Sequence, residues 1–532
     1  MPKRPVPVDT SPLATLLASV AGAVAYESSR ADDGSGETPG APLATILEMG
    51  KTARSPFGAA LLDAALAAAG ESASADELAL ELQSLRRERA HFPSAAAAAP
   101  WDAVLAPHLL ACAHERAGEW LPAFAQQKRA LAALNVVLKE TAGRWIVPPL
   151  LRVAGDAARL CRLADHDARR RGQQDAFRLE LNGDQGGDGA EDGGAGAGGG
   201  GGGGGGSGAQ GSGAVGFSSV LRESFSTCAT QKAALLRDAY GQPDYRLNRK
   251  IGAVALANLI FRLLFRSQEP RYCKEIQKVM EHDQWFAREL GDPRADPRSA
   301  ASEPRSPFSP EGSCFPVAQL VTYKYYTGKL AILDDKFFLA NKFLAFALRY
   351  CPREGWSRAS DENRRRILRL LVPVRLHVGS LPRPRLLASY GLERVYGGIV
   401  RGVQLGDLRA FREAIEANLY TFVRAGTFLL IEKLQMAVLR SLVKRCARLL
   451  GNATQMPLPL LAAAMGGVGN NSSFPVDDPA ELECLLAGLI FNEFVKGYIN
   501  HGKRESVLVL KKSGAFPPLA EIVERKMLQP QK

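Results

Sequence analysis

Along most of this chain the apolar residues recur at the spacing of amphipathic helices. In "LPAFAQQKRALAALNVVLKET", Phe124, Leu131, Leu134 and Leu138 follow intervals of three, four and seven and line one face. "WIVPPLLRVAGDAARLCRLAD" restarts a helix behind Pro148 and Pro149, because proline fits a first turn but not an interior. "NRKIGAVALANLIFRLLFRS" turns Leu256, Leu259, Ile260, Leu263 and Leu264 inward. "VAQLVTYKYYTGKLAILDD" and "DKFFLANKFLAFALRYC" predict a helix pair folded about Asp334 and Asp335, with Gly328 and Ala347 small enough to permit close approach. "NRRRILRLLVPVRLHVGSLP" predicts a further helix, bent or ended near Pro373, and "LGDLRAFREAIEANLYTFVRAG" repeats the scheme of a short turn and an amphipathic helix. Helix pairs in series predict an α-solenoid, without the strict sequence period of an ideal tetratricopeptide array.

Near the end the period changes. "GTFLLIEKLQMAVLRSLVKRCARLL" predicts one long helix, "MPLPLLAAAMGG" a short one, and "DPAELECLLAGLIFNEFVKG" a third with Asp478 as N-cap. "FVKGYINHGKRESVLVLKK" then reads as a hairpin: "GYIN", a turn "HGKR", and "ESVLVLKK", where Val507 and Val509 alternate with Leu508 and Leu510. Three helices and a two-stranded wing predict a winged helix. Strands are expected only at about 497–512, and 217–450 is expected to be nearly all helical. The fold class is mainly α: an α-solenoid of TPR-like helix pairs followed by a C-terminal winged helix.

Composition sets the segment boundaries. Residues 1–41, rich in Pro, Ser, Gly and Ala, predict a disordered N-terminus, and 42–181 an N-terminal helical region. Residues 182–216 form a Gly-rich flexible linker whose glycine run lacks the Gly-Lys-Ser/Thr ending of a P-loop. The solenoid is placed at 217–424, with a disordered Pro- and Ser-rich insert at 291–313. The winged helix takes 425–520 and a C-terminal tail 521–532.

The chain has 532 residues, a formal net charge of +12 and a pI of about 9.3, which favours polyanions or acidic partners. Its eight cysteines are scattered without a CxxC pair, the pattern of reduced, buried thiols. "LLASVAGAVAY" is too short to span a bilayer and lacks the flanks of a secretory signal, so a soluble protein of cytoplasm or nucleus is expected. None of the seven histidines sits in an HExxH, His108 and His114 lie off one helical face, and His501 reads as a solvated turn residue. No GxSxG or cysteine–histidine signature stands out. No catalytic residue, cofactor or metal is expected.

The basic residues of the C-terminal segment are the candidates for binding. Arg440, Lys444 and Arg448 stand at i, i+4 and i+8, with Arg445 beside them and Lys433 earlier. Lys503, Arg504, Lys511 and Lys512 cluster in the wing, with Lys496 at its base. Such groups predict sequence-independent, salt-sensitive phosphate contacts to RNA or DNA. Lysine on an edge strand also blocks unwanted pairing, so a purely structural reading stands beside it. Arg364, Arg365, Arg366 and Arg369 form a second basic group, expected to face solvent or an acidic partner. Phe491, Phe494 and Tyr498 are expected to pack the winged core, leaving no aromatic platform for bases.

"QLVTYKYYTGKLAILDDKFFLANKFLAFALRYC", "LLVPVRLHVGSLP", "GTFLLIEKLQMAVLRSL" and "LAGLIFNEFVKGYINH" resemble the PCI domain-containing protein 2 family, whose plant and fungal relatives are often labelled COP9 signalosome subunit 12-like. The resemblance runs over about 100–520 and is strongest over 315–512. It implies a PCI domain and a subunit of the TREX-2 complex at the nuclear pore, coupling transcription to mRNA export. The partners it implies are a scaffold subunit of the GANP type, a small acidic protein of the Sem/Dss type, and nucleoporins. The rival reading is a structural PCI subunit of a COP9 signalosome- or proteasome-lid-like assembly. The chain departs from the family pattern in its Ala-rich front and Gly-rich linker, in the 291–313 insert and in the segment 466–479, which lengthens the turn that would set a recognition helix.

Overall fold

The computed structural model describes residues 12–29, 41–48, 56–70, 74–87, 101–141, 143–171, 216–230, 249–290, 315–466, 479–501 and 506–528. The chain divides into two compact units, 1–286 and 287–532. The first expectation to be corrected is therefore the solenoid boundary, since helices on both sides of the Gly-rich linker belong to one unit. The linker itself, the 291–313 insert, most of 466–479 and Asp478 lie outside the described residues.

The longer elements of the first unit, among its described residues, are all helices: α1 (Pro12–Ser29), α2 (Ala41–Ile46), α3 (Pro56–Ala68), α4 (Ala75–Arg87), α5 (Trp101–Ala117), α6 (Trp120–Glu140), α7 (Val147–Arg170), α8 (Phe217–Ala229), α9 (Ala253–Arg266) and α10 (Arg271–His282), with α11 (Gln284–Leu290) at the division. Helix α1 falls inside the supposed disordered N-terminus. Leu13, Leu16, Leu17 and Val20 bury one side of it, and that burial outweighs its glycine and weak helix formers. The predicted stripe of α6 is inward, with Phe124, Leu131, Leu134 and Leu138 all buried. A buried polar chain ties three helices together. Gln127 Nε2 donates to the Val153 carbonyl at 3.3 Å, so its Oε1 accepts from His108 Nδ1 at 3.1 Å. His108 Nε2 is then the acceptor that faces Cys112 Sγ at 3.9 Å. Burial pushes the His108 pKa down to about 4.

The second unit opens with the hairpin of α12 (Val317–Leu333) and α13 (Phe337–Tyr350), turned at Asp335 with φ +57°. A Cβ at Gly328 would lie 2.8 Å from Leu344 Cγ, so only glycine lets these two helices come this close. Helix α14 (Arg358–His377) follows, capped by Ser357, whose side chain accepts from the Ser360 amide. It continues through Pro373, and it has apolar residues on two sides. Ile367, Leu370, Leu371 and Val374 meet α12 and α13. Leu368, Val372 and Leu376 enter a second cluster with α16 (Glu393–Leu405) and α17 (Leu408–Ala417), beyond the short α15 (Pro384–Ser389). Helix α18 (Leu419–Ala425) leads to the winged segment.

The long helix expected there is broken into α19 (Phe428–Glu432) and α20 (Gln435–Leu449). At the break the amide of Leu434 bonds three residues back to Ile431, tightening the turn so that Leu430, Ile431 and Leu434 all reach the core. A strand outside the expected range follows, β1 (Gln455–Pro457), then α21 (Leu458–Gly466), α22 (Pro479–Phe491), β2 (Gly497–His501) and β3 (Ser506–Leu510). The sheet order is β1-β3-β2, all antiparallel, with Met456 opposite Leu508 and Ile499 opposite Leu508 from the other side. The supposed tail carries α23 (Leu519–Leu528), because Leu519 and Ile522 have a core to bury in. The same cluster holds Leu368 of α14, Leu439 of α20, Leu508 of β3 and Ile522 of α23. Helical stack and winged helix thus share one core.

Candidate nucleic-acid interface

Helix α20 was expected to present a basic face, and it does so only over its second half. Arg440 is 7% exposed, and its Nη2 donates to the Pro517 carbonyl at 2.7 Å. It holds the chain after the wing, which removes it from the surface; burial pulls its pKa down. Successive fourth residues drift by about 40° around a helix. Lys444 is accordingly half-buried, and Arg448 is exposed. The Lys444 pKa is lowered, first by burial and then by the positive charges of Arg440 and Arg448. Arg445 is exposed, and one of its guanidinium nitrogens donates to the Leu405 carbonyl at 3.3 Å. Lys433 Nζ stands 2.6 Å from both carboxylate oxygens of Asp335, closing the helix break onto the α12–α13 turn. Arg440 is therefore structural, the exposed Lys433 is paired with Asp335 and the exposed Arg445 is bonded to Leu405, and Lys444 and Arg448 remain as the candidates without a partner among the described residues.

At the wing, the amide of Lys511 donates to the Lys496 carbonyl at 2.9 Å, and the amide of Lys496 donates to Ala515 at 2.8 Å. The first of these bonds continues the β2–β3 register by one position beyond Gly497 and Leu510, so Lys496 and Lys511 stand opposite each other, while the Lys496 amide is turned to Ala515. Residue 497 must be glycine: a Cβ there would meet the Val509 carbonyl oxygen at 2.2 Å. Lys511 and Lys512 are exposed, while Lys503 and Arg504 lie outside the described residues. The segment 515–517 that receives the Lys496 amide also receives Arg440, so it joins the wing base to α20 one turn before Lys444. Among the described residues, no ion pair neutralises Lys444, Arg448, Lys496, Lys511 or Lys512.

The second basic group does not face solvent or a partner as a set. Arg364 binds the carbonyls of Leu348, Cys351 and Pro352 at 3.1–3.2 Å and the Tyr390 hydroxyl at 2.8 Å, capping the end of α13. Arg366 pairs with Glu362 at 3.3 Å one turn away.

Helix α22 occupies the position of a recognition helix, and its chemistry is wrong for a groove. Its residues 479–491 include Glu481 and Glu483 and no lysine or arginine. Of its exposed positions, Ala480, Cys484, Ala487 and Phe491 lie on one face and Glu481 to the side of it. Cys484 is the exposed exception to the expectation of buried thiols, the other six described cysteines being buried. Two aromatic expectations also fail. Phe494 packs partly against the core, but Phe491 is 88% exposed and Tyr498 is 61% exposed. Both follow apolar runs in the sequence, and the run alone does not tell which side of the last turn or strand faces out.

Among the described residues, no three His, Cys, Asp or Glu side chains are placed to hold a metal ion, and no helix is long and apolar enough to cross a membrane.

No family model matches the chain. Individual relatives do. The chain is 36% identical over 208 residues to a PCI domain-containing protein 2 homolog of Caenorhabditis elegans, covering 39% of the chain and 47% of the relative. It is 29% identical over 307 residues to PCI domain-containing protein 2 of Xenopus laevis, covering 57% and 64%. It is 31% identical over 317 residues to Protein CSN12 homolog of Mycosarcoma maydis, covering 57% and 60%. The chain thus matches between 47% and 64% of the length of these relatives.

Proposed function

We propose, from the likeness to PCI domain-containing protein 2 relatives over part of their length, that the chain is a non-catalytic scaffold subunit of a TREX-2-like complex that couples transcription to mRNA export at the nuclear pore, and that its winged helix contributes a surface for RNA or DNA phosphates. The observation that carries the scaffold role is the single core running from α14 to α23. A winged helix fused in this way cannot swing on a linker, so whatever it binds is held at a set position on the helical stack. The partners of this reading are a GANP-type scaffold subunit, a small acidic Sem/Dss-type protein and nucleoporins, and its place is the nucleus. The charge that would attract nucleic acid is Lys444, Arg448, Lys496, Lys511 and Lys512, none of them ion-paired among the described residues. The contacts are to backbone, since α22 offers acids where a groove-reading helix needs cations.

Fluorescence anisotropy with labelled RNA across a salt series tests the nucleic-acid part. If all five residues meet phosphates, the log–log slope should be about −3 to −4 for a single strand. Removing Lys511 and Lys512 by glutamine should flatten it by about 1.4. A full chain that binds no RNA at low salt, or a slope indifferent to these residues, would leave the winged helix as a packing element, as in a COP9 signalosome- or proteasome-lid-like assembly.

A further inference from the structure

We propose that the outer face of the wing sheet is a stacking platform for single-stranded RNA, with Tyr498 as the residue on which a base lies. This rests on the nucleic-acid reading above and assigns it a residue that is not a charge. The β2–β3 register places Lys496, Tyr498 and Asn500 on one face, opposite Lys511, Val509 and Val507. Leu508 and Leu510 point the other way into the core. Same-face neighbours along β2 are about 7 Å apart. One nucleotide can therefore touch the Tyr498 ring and a flanking side chain together.

The burial pattern leaves this face open to solvent. Tyr498 is 61% exposed, and no hydrogen-bond partner for its hydroxyl occurs among the described residues. Val507 and Val509 are half-buried and give the ring an apolar floor beside it. An aromatic left on an open sheet gains little for folding, yet a base can stack on it whatever its identity. Lys496 and Lys511 stand paired at one end, and no acid occupies the face positions named here. Glu483, an acid near this hairpin among the described residues, lies 3.6 Å from His501, whose register places it with the inner face. At the other end the Asn500 amide, exposed, can both donate to and accept from a ribose 2′-hydroxyl, a group DNA lacks. The flat face suits an unpaired strand, because a duplex hides its base faces.

The test is anisotropy of the full chain with labelled oligouridine RNA, its deoxy counterpart and an RNA duplex. Tyr498→Ala should weaken single-stranded RNA binding by about ten-fold while leaving the salt slope unchanged, since stacking releases no counterions. Tyr498→Trp should restore or tighten binding. Lys496→Gln with Lys511→Gln should flatten the slope, and Asn500→Ala should narrow the preference for RNA over DNA. Duplex affinity should not respond to Tyr498→Ala. The proposal is overturned if wild-type chain binds the RNA and Tyr498→Ala binds it equally well, or if Tyr498→Ala weakens duplex and single strand alike. A wild-type chain that binds none of the probes overturns the nucleic-acid reading itself, and with it this platform.

Discussion

The guanidinium of Arg440 is a strut. It holds the Pro517 carbonyl beneath the surface, and its ring neighbour Phe516 lies 6.0 Å from Cζ. Arg440→Glu would set a carboxylate against a carbonyl in a buried site, and should cost about 2–4 kcal/mol of stability, read as a lowered denaturation midpoint. Lys444→Gln with Arg448→Gln should leave that midpoint nearly unchanged and lower RNA affinity with a flatter salt slope. Two histidines add a pH dependence. His377 is buried, its Nε2 donates to the Leu430 carbonyl at 2.7 Å, its ring stacks on Phe337 at 4.3 Å, and burial lowers its pKa to about 4. His108 is lowered to about 4 for the same first cause. Below pH 6.5 the unfolded imidazoles take up protons that the folded ones refuse, so stability falls as pH drops from 6.5 toward 4. The loss should approach about 3 kcal/mol for each ring. His377→Gln and His108→Gln variants followed by chemical denaturation across this range should show it diminished; equal pH slopes in all three proteins would contradict the assignment.

At the scale of elements, the helices were readable because a period of 3.6 needs no tertiary information: Phe124, Leu131, Leu134 and Leu138 announce α6 and are buried in it. The break between α19 and α20 was not readable, since neither glycine nor proline marks residues 433–434 and the cause is the burial of Leu434. Strand β1 is three residues long, too short for an alternation to show, and its neighbour "LPLLAAAMG" is helical. It exists because β3 has a second edge to fill. The helix α23 looked like a tail because its core lies elsewhere in the sequence. Deleting 519–532 removes the burial of Leu519 and Ile522 and should cost about 3–6 kcal/mol, measurable by urea unfolding. Gly497→Ala should push β2 off β3 and disturb Tyr498, lowering RNA affinity through the wing without touching any charge.

For the molecule, the sequence pattern names the basic residues but not which of them are exposed. A count of lysines and arginines cannot distinguish Arg440, spent on Pro517, from Arg448, exposed on the same helix. Nor could it see Tyr498 outside the core, because sheet polarity depends on which face the helices cover. What the pattern did convey is the architecture, helix pairs ending in a winged helix, and with it the proposal of a scaffold. That proposal concerns what the chain assembles with. The most direct measurement is affinity purification of the tagged full chain from nuclear extract, followed by mass spectrometry of stoichiometric partners. A large GANP-type scaffold subunit and a small acidic Sem/Dss-type protein should co-purify, and both should be retained when Lys511 and Lys512 are replaced by glutamine. Recovery of deneddylase or proteasome-lid subunits in their place would contradict it.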